Sequence, residues 1–279
     1  EIYTLSLHDA LPIFGASSIS DVLEKSRKIV IKIGSNVLSN EKGEVNPESL
    51  CNIVEQACLL IDKGKQVIIV SSGAGVCGVG AINKWDRRND INYKQALCAI
   101  GQVELMMAYK QYFSDYDIHV AQILLTQEDF DHPHRTLNIR NTLFTLIDEG
   151  VVPIINENDS VSVDEIKIGD NDTLSALTAS LWNADTLIAL SDIDGVYDKD
   201  PKTHNDAELI EEVNDASVLL DAIDTKGKSP FGTGGIATKI EAAGMVNKYG
   251  INMVLLNGKK KDTIKTAFEG GNLGTLFSG

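Results

Sequence analysis

VIIVSSGAG, residues 67–75, joins a short apolar run to a loop of small residues without a break. Four β-favouring apolar residues in succession suit a strand covered on both faces, as strands of parallel sheets are. Glycine and serine beyond it let the backbone turn and approach a neighbour or ligand closely. A similar unit stands upstream, where KIVIKI at 28–33 leads into Gly34-Ser35-Asn36. Between the two lies a helical period over 47–62, with Leu50, Ile53, Val54, Ala57, Cys58 and Ile61 as its apolar positions. Asn46 is placed to cap it, Pro47 sits in its first turn, and Gly64 follows its end. Strand, helix and strand in this order read as a parallel α/β unit.

The same alternation continues outward. Helical spacing covers 93–114, 135–148, 172–182, 236–249 and 260–268, and β-type runs cover 118–125, 151–155, 186–190 and 252–256. Pro153 marks the run VVPII as an edge strand or an irregular end, and GTLF at 274–277 reads as a further edge strand. The expected fold is a three-layer αβα sandwich with a mostly parallel central sheet. Residues 75–92, 156–171 and 198–232 are polar and interrupted, and are expected to be excursions beyond the sheet. Ligands of such sheets bind beyond the carboxyl ends of the strands, where the Gly-rich and Asp-rich loops fall.

Composition narrows the function. Lys and Arg total 25 against 40 Asp and Glu, a formal net charge of −15. That argues against nucleic acid as a partner, because such binding works by neutralising phosphates. A small anionic substrate needs only a local cationic pocket. Cys51, Cys58, Cys77 and Cys98 form no CxxC pair, so a reducing compartment and no structural zinc are expected. Residues 1–14 lack Lys and Arg, and His8, Asp9 and Pro12 interrupt their apolar positions. This fits neither a signal peptide nor a membrane span. Residues 1–20 are expected to be a tail or artefact, with 21–279 forming one domain and no membrane association.

Four loops carry the candidate chemistry. Lys32 stands near a strand end before Gly34, where a lysine can reach a phosphate beside backbone N–H groups. A lysine snorkelling at a strand edge would look the same. Ser71-Ser72-Gly73-Ala74-Gly75 is the second loop, and it is neither a GxxxxGK[ST] nor a GxGxxG motif. In the third region, Asn156, Glu157, Asn158 and Asp159 follow a strand, and Asp170, Asn171 and Asp172 precede a helix. Caps use such residues, but two groups of them exceed what capping requires. Their amides and carboxylates suit the carboxylate and ammonium groups of an amino acid. The fourth is Gly232-Thr233-Gly234-Gly235-Ile236-Ala237-Thr238-Lys239, which places a lysine in the first turn of a helix. The helix dipole disfavours a cation there unless a polyphosphate is bound. None of the five histidines lies in these loops. Phosphoryl transfer fits the set, since it needs positioning and charge neutralisation more than a base.

The segments KIGSNVL (32–38), VSSGAG (70–75), INENDSV (155–161), EIKIGDNDTLSAL (165–177), SDIDGVY (191–197) and GTGGIATK (232–239) resemble those of the amino acid kinase family in order and spacing. The likeness runs from about residue 27 to 279 and is strongest to the branch acting on free glutamate. The resemblance implies the carbamate kinase-like fold. It implies transfer from ATP, with Mg²⁺, to the γ-carboxylate of L-glutamate, giving L-glutamyl 5-phosphate at the first step of proline biosynthesis. As catalytic residues it implies Lys32 and Lys239 on the phosphates, with Asp172 orienting them. It assigns Ser72, Asp159 and Asn171 to glutamate. Lys32, Ser191, Asp192 and the run Thr233, Gly234, Gly235, Ile236, Ala237, Thr238 and Lys239 are assigned to the nucleotide. No metal ligand is implied. The resemblance further implies a cytoplasmic homodimer or homotetramer inhibited by proline, in a short form lacking the C-terminal PUA domain. Gly75 departs from the pattern, which more often has a bulky aliphatic there. The alternatives are sister kinases acting on N-acetylglutamate, aspartate, carbamate or uridylate, and a non-catalytic amino-acid sensor.

Overall fold

The computed structural model describes residues 18–40, 45–82, 90–161, 171–199, 201, 204–222, 235–271 and 273–279. In chain order the elements are α1 (Ile19–Lys25), β1 (Lys28–Ile33), α2 (Ser35–Leu38), α3 (Pro47–Asp62), β2 (Gln66–Ser71), α4 (Ala74–Ile82), α5 (Ile91–Ser114) and β3 (Val120–Leu125). There follow α6 (Gln127–Asp131), α7 (Pro133–Asp148), β4 (Val152–Glu157), α8 (Asn171–Trp182), β5 (Thr186–Ser191), β6 (Val196–Tyr197) and β7 (Leu209–Ile210). The last are β8 (Glu212–Val213), α9 (Ala216–Ala222), α10 (Ile236–Asn247), β9 (Asn252–Asn257), α11 (Thr263–Phe268) and β10 (Gly274–Phe277).

The main sheet runs in the order β3-β4-β2-β1-β5-β9-β10-β8, and β6 and β7 form a separate antiparallel pair. Every ladder of the main sheet is parallel except β9 with β10. From β1 the chain winds out through β2 and then crosses back to place β5 on the other side of β1. β1 is therefore the strand at which the direction of winding reverses, and its carboxyl end is where a crevice opens.

Side chains alternate across the strands, and this sorts the core into two layers. Ile29, Ile31, Ile33, Val67, Ile69, Ile188, Leu190, Val254 and Leu256 pack with residues of α1, α3, α5 and α11. Val30, Ile68, Val70, Leu187, Ala189, Met253 and Leu255 pack with α7, α8, α9 and α10. Lys32 lies two residues beyond Val30, so the alternation turns it toward α8 and α10. The three-layer sandwich expected from the sequence is the one observed. Asn46 caps α3 through Oδ1, accepting from Glu48 N at 3.0 Å, with Pro47 in the first turn.

Several expectations are corrected. α1 starts at Ile19, its cap Ser18 and Asp21 bonding reciprocally, and Ile19, Val22 and Leu23 are buried. The boundary expected at residue 20 therefore falls inside a helix that belongs to the core. β4 is not an edge strand, since β3 covers its outer side. Pro153 is tolerated because Val152 N donates to His119 O on the β3 side, which directs residue 153 toward β2. The β2 ladder starts only at Ile154, so no donor is missed at Pro153. β10 is also internal, paired with β9 on one side and β8 on the other. Within 198–232, β8 extends the main sheet, and Val213, Ala216 and Leu219 are buried. Within 75–92, residues 75–82 are helical in α4. Among the described residues no helix is long and apolar enough to cross a membrane.

α4 begins directly after the 71–73 turn, where Gly73 has φ +100°, and it is pressed backbone to backbone onto α5. A Cβ on Gly101 would fall 1.8 Å from Ala74 O and 2.2 Å from Gly78 N, and one on Gly78 would fall 2.0 Å from Leu97 O. Only hydrogen at both positions permits this approach. Gly101→Ala is expected to force the helices apart and to destabilise by about 1–3 kcal/mol, as overpacking of a core does. Differential scanning fluorimetry should show a midpoint lower by several degrees. An unchanged midpoint would mean that α4 yields without cost.

Candidate functional site

At the carboxyl end of the sheet one carboxylate holds two ammonium groups. Asp172 Oδ1 lies 2.5 Å from Lys32 Nζ, and Oδ2 lies 3.1 Å from Lys239 Nζ. Thr238 Oγ1 also donates to Oδ2, at 2.9 Å. Lys32 and Asp172 are each 1% exposed and Lys239 5%. Three elements meet here. β1 supplies Lys32 through its alternation, α8 supplies Asp172 in its first turn, and α10 supplies Thr238 and Lys239 in its own first turn. Two ammonium groups are thus gathered at one buried place beside a helix start, an arrangement that suits an anionic ligand. Gly235 is the N-cap of α10 and gives it no side-chain cap bond. A helix start of this kind directs backbone N–H groups at an anion.

A cluster of amides adjoins this centre. Asn171 precedes Asp172 in the first turn of α8, and its Nδ2 faces Ser71 O at 2.6 Å, Ser72 Oγ at 2.9 Å and Asn156 Oδ1 at 3.0 Å. The carbonyl end of Asn171 is therefore turned away from these acceptors. Asn156, at the end of β4, donates from Nδ2 to Gln102 Oε1 at 2.9 Å and accepts from Glu157 N at 2.9 Å. Ser71 Oγ and Tyr109 Oη are 2.8 Å apart. Asp159 is half-buried, and loss of water pushes its carboxyl above the ordinary aspartate value, opposed by a hydrogen bond from Cys98. Burial pushes the Cys98 thiol up to about 12, so it stays protonated and able to donate.

On the β5 and β9 side, Ser191 ends β5 and Asp192 follows. Ser191 Oγ donates to Asp192 Oδ1 at 3.3 Å, and Asn36 of α2 donates to Asp192 Oδ2 at 2.9 Å. Gly34 N bonds Leu190 O at 3.0 Å. Asp194 receives Asn257 Nδ2 at 2.8 Å and Lys260 Nζ at 2.6 Å. Among the described residues no group of three or more His, Cys, Asp or Glu is placed to hold a metal ion.

Of the residues singled out in the sequence, Lys32, Asp172, Thr238 and Lys239 come together around one carboxylate, and Ser72 and Asn171 meet beside it. Ser191 and Asp192 stand at the next strand end, and Gly235, Ile236 and Ala237 open α10. Asp159 lies beyond β4 and joins the cluster's rim through Cys98 rather than through Asn171. Thr233, Gly234 and Asp170 lie outside the described residues. Gln102, Cys98, Asn36 and Lys260 were not reached from the sequence. Gln102 left one signal: it interrupts the buried stripe of α5 formed by Leu97, Gly101, Leu105, Tyr109 and Phe113.

The residues fit a nucleoside triphosphate with its cation. Two buried lysines and an uncapped helix start offer the positive field that phosphates need.

The sequence profile of the Amino acid kinase family matches residues 27–257. A protein named glutamate 5-kinase from Alkaliphilus metalliredigens (strain QYMF) is 60% identical over 259 residues, covering 93% of this chain and 98% of that protein. Its namesake from Alkaliphilus oremlandii (strain OhILAs) is 57% identical with the same coverage. A glutamate 5-kinase from Thermoanaerobacter sp. (strain X514) is 46% identical, covering 90% of this chain and 67% of that protein. Among solved structures, UMP kinase from Bacillus anthracis superposes with a TM-score of 0.63 at 17% identity, covering 91% of this chain and 96% of that one. An isopentenyl phosphate kinase gives 0.62 at 16%, covering 90% and 100%. At such identities the structures speak for the fold alone, whereas the profile and the sequence relatives establish descent: the chain belongs to the amino acid kinase family.

Proposed function

We infer that this chain is an ATP-dependent kinase that phosphorylates the γ-carboxylate of L-glutamate to L-glutamyl 5-phosphate, the first step of proline biosynthesis. The observation that carries this reading is the adjacency of Asn171 and Asp172. One turn of α8 carries both the amide that bonds Asn156 and Ser72 and the carboxylate that gathers both lysines. The names borne by relatives of 60% and 57% identity support the choice of acceptor. In this reading the chain from α1 onward works as one kinase domain.

The division of labour follows from charge. Lys32 and Lys239 face the phosphates and offset the negative charge that spreads over the transferring group. Asp172 keeps both ammonium groups in place and takes no proton. Ser72 and Asn171 hold the acceptor amino acid, and Asp159 receives its α-ammonium. Ser191, Asp192, Gly235, Ile236, Ala237 and Thr238 line the nucleotide side, together with Thr233 and Gly234. The γ-carboxylate of glutamate is already an anion and a competent nucleophile, so no side chain need act as base. Bound ATP supplies the phosphoryl group, and its Mg²⁺ shares in neutralising the phosphate oxygens. We assign the protein to the cytoplasm as a homodimer or homotetramer subject to proline inhibition. The free state of Cys51, Cys58, Cys77 and Cys98 suits a reducing compartment.

Lys32→Ala and Lys239→Ala are expected to lower turnover at least ~100-fold, each removing a donor worth roughly 3–4 kcal/mol in the transition state. Near-normal turnover in a folded variant would remove that lysine from the mechanism. A coupled ADP-release assay across glutamate, N-acetylglutamate, aspartate, carbamate and UMP should respond to glutamate. A strong response to another acceptor alone would reassign the substrate. Acid should weaken glutamate use. Burial raises the Asp159 carboxyl above the ordinary aspartate value, and the neutral form cannot pair with an ammonium. kcat/KM for glutamate is therefore full above that raised pKa and falls as pH drops through it. Asp159→Asn should leave only the shallower acid limb of the substrate's own carboxyl. An identical profile would show that Asp159 does not meet the substrate.

A further inference from the structure

We propose that Gln102 is a positioning residue for the acceptor amino acid, acting through Asn156 on Asn171. This rests on the functional reading above. A primary amide can turn over end for end at little steric cost, so its polarity must be fixed by its neighbours. Gln102 Oε1 accepts from Asn156 Nδ2. That sets Asn156 Oδ1 toward Asn171 Nδ2. Asn171 is in turn held with its NH₂ on Ser71 and Ser72 and its carbonyl on the opposite side. Polarity thus passes through three amides from α5 to the start of α8. Glu157 N also bonds Asn156 Oδ1, but Gln102 is what takes up Asn156 Nδ2. Without that acceptor a buried donor is stranded and the amide tilts to find another.

Gln102 is 7% exposed, and its Nε2 has no hydrogen-bond partner among the described residues. The side chain is therefore held by its oxygen end, and the oxygen is the working group. The helix reinforces the arrangement. Cys98, Gln102 and Tyr109 fall on one stripe at the 3.6-residue period, and they bond Asp159, Asn156 and Ser71 respectively. Gly101, beside Gln102, fixes α5 against Ala74 at the start of α4. The stripe stands behind the acceptor residues and away from the lysines, so its loss should be felt by one substrate and not the other.

Three variants test this. Gln102→Met keeps the length and removes the acceptor oxygen. Gln102→Glu keeps an oxygen facing Asn156 and brings an ionisable carboxyl to the buried end that has no partner, so its thermal midpoint is read beside its glutamate KM. Gln102→Asn withdraws the acceptor by one methylene and serves if the Met variant does not fold. Steady-state kinetics are run for glutamate and ATP separately, with thermal midpoints for each protein. The expected result is a glutamate KM raised about tenfold in the Met or Asn variant, the scale of one hydrogen bond in a buried network. kcat and the KM for ATP should stay within about threefold, and Gln102→Glu should recover most of the glutamate KM. An unshifted glutamate KM in Gln102→Met or Gln102→Asn overturns the role. So does an equal rise in the Glu and Met variants, or a parallel loss for ATP. The wild-type protein is assayed alongside: absence of glutamate turnover there overturns the functional reading and this inference together, whereas normal wild-type turnover with indifferent variants overturns this inference alone.

Discussion

A single buried carboxylate between two buried ammonium groups is the constraint around which this molecule is arranged. Such a group is weak support for the fold itself, because desolvating three charges offsets much of what their attraction returns. Removing one partner is another matter and costs about 3–5 kcal/mol in comparable buried pairs. Asp172 therefore ties together elements distant in sequence. β1 must present Lys32 to the α8 layer, and a shift of one residue in its register would turn that side chain to the α3 layer. α10 must begin where Lys239 and Thr238 both reach the same carboxylate. Gathering two lysines at one point suits a protein whose working state includes an anion.

The start of α8 joins two kinds of chemistry within one turn. Asn171 belongs to an uncharged network of amides and hydroxyls, and Asp172 belongs to the ionic centre. The two substrates of a phosphoryl transfer need opposite treatment. The acceptor must be oriented by directional bonds, and the donor must be neutralised. In the proposed reading, consecutive residues on one helix deliver both with a fixed spacing between them, and proximity of this sort is a large part of what such enzymes contribute. The strand ends of β1, β2, β4 and β5 form the floor, while α5 stands behind the amide cluster.

Much of this was legible in the sequence because the signals were local. VIIV and KIVIKI read as covered strands, the helical period of 47–62 was regular, and polar clusters after strands marked the crevice. Motif segments then linked loops that are far apart along the chain. What escaped were features set by partners remote in sequence. Pro153 looked like an edge residue because nothing local reveals that the β2 ladder begins one residue later. The two-residue strands within 198–232 are too short to show a period. Gln102, Cys98 and Tyr109 lie in a helix whose spacing reads as ordinary core, and their roles appear only once β2 and β4 are placed beside it.

The antiparallel β10 has a consequence for how the chain acquires its shape. Among the described residues β8 joins the main sheet only through β10, Leu276 N bonds Glu211 O and Ser278 N bonds Val213 O, and Thr275 Oγ1 links Val196 N with Ile210 O. β6, β7 and β8 thus leave the ribosome well before the strand that anchors them. The strands from β3 to β5 can pair during synthesis, whereas β6, β7 and β8 wait for β10, so a nascent chain halted before residue 274 would lack the strand that ties them to the sheet.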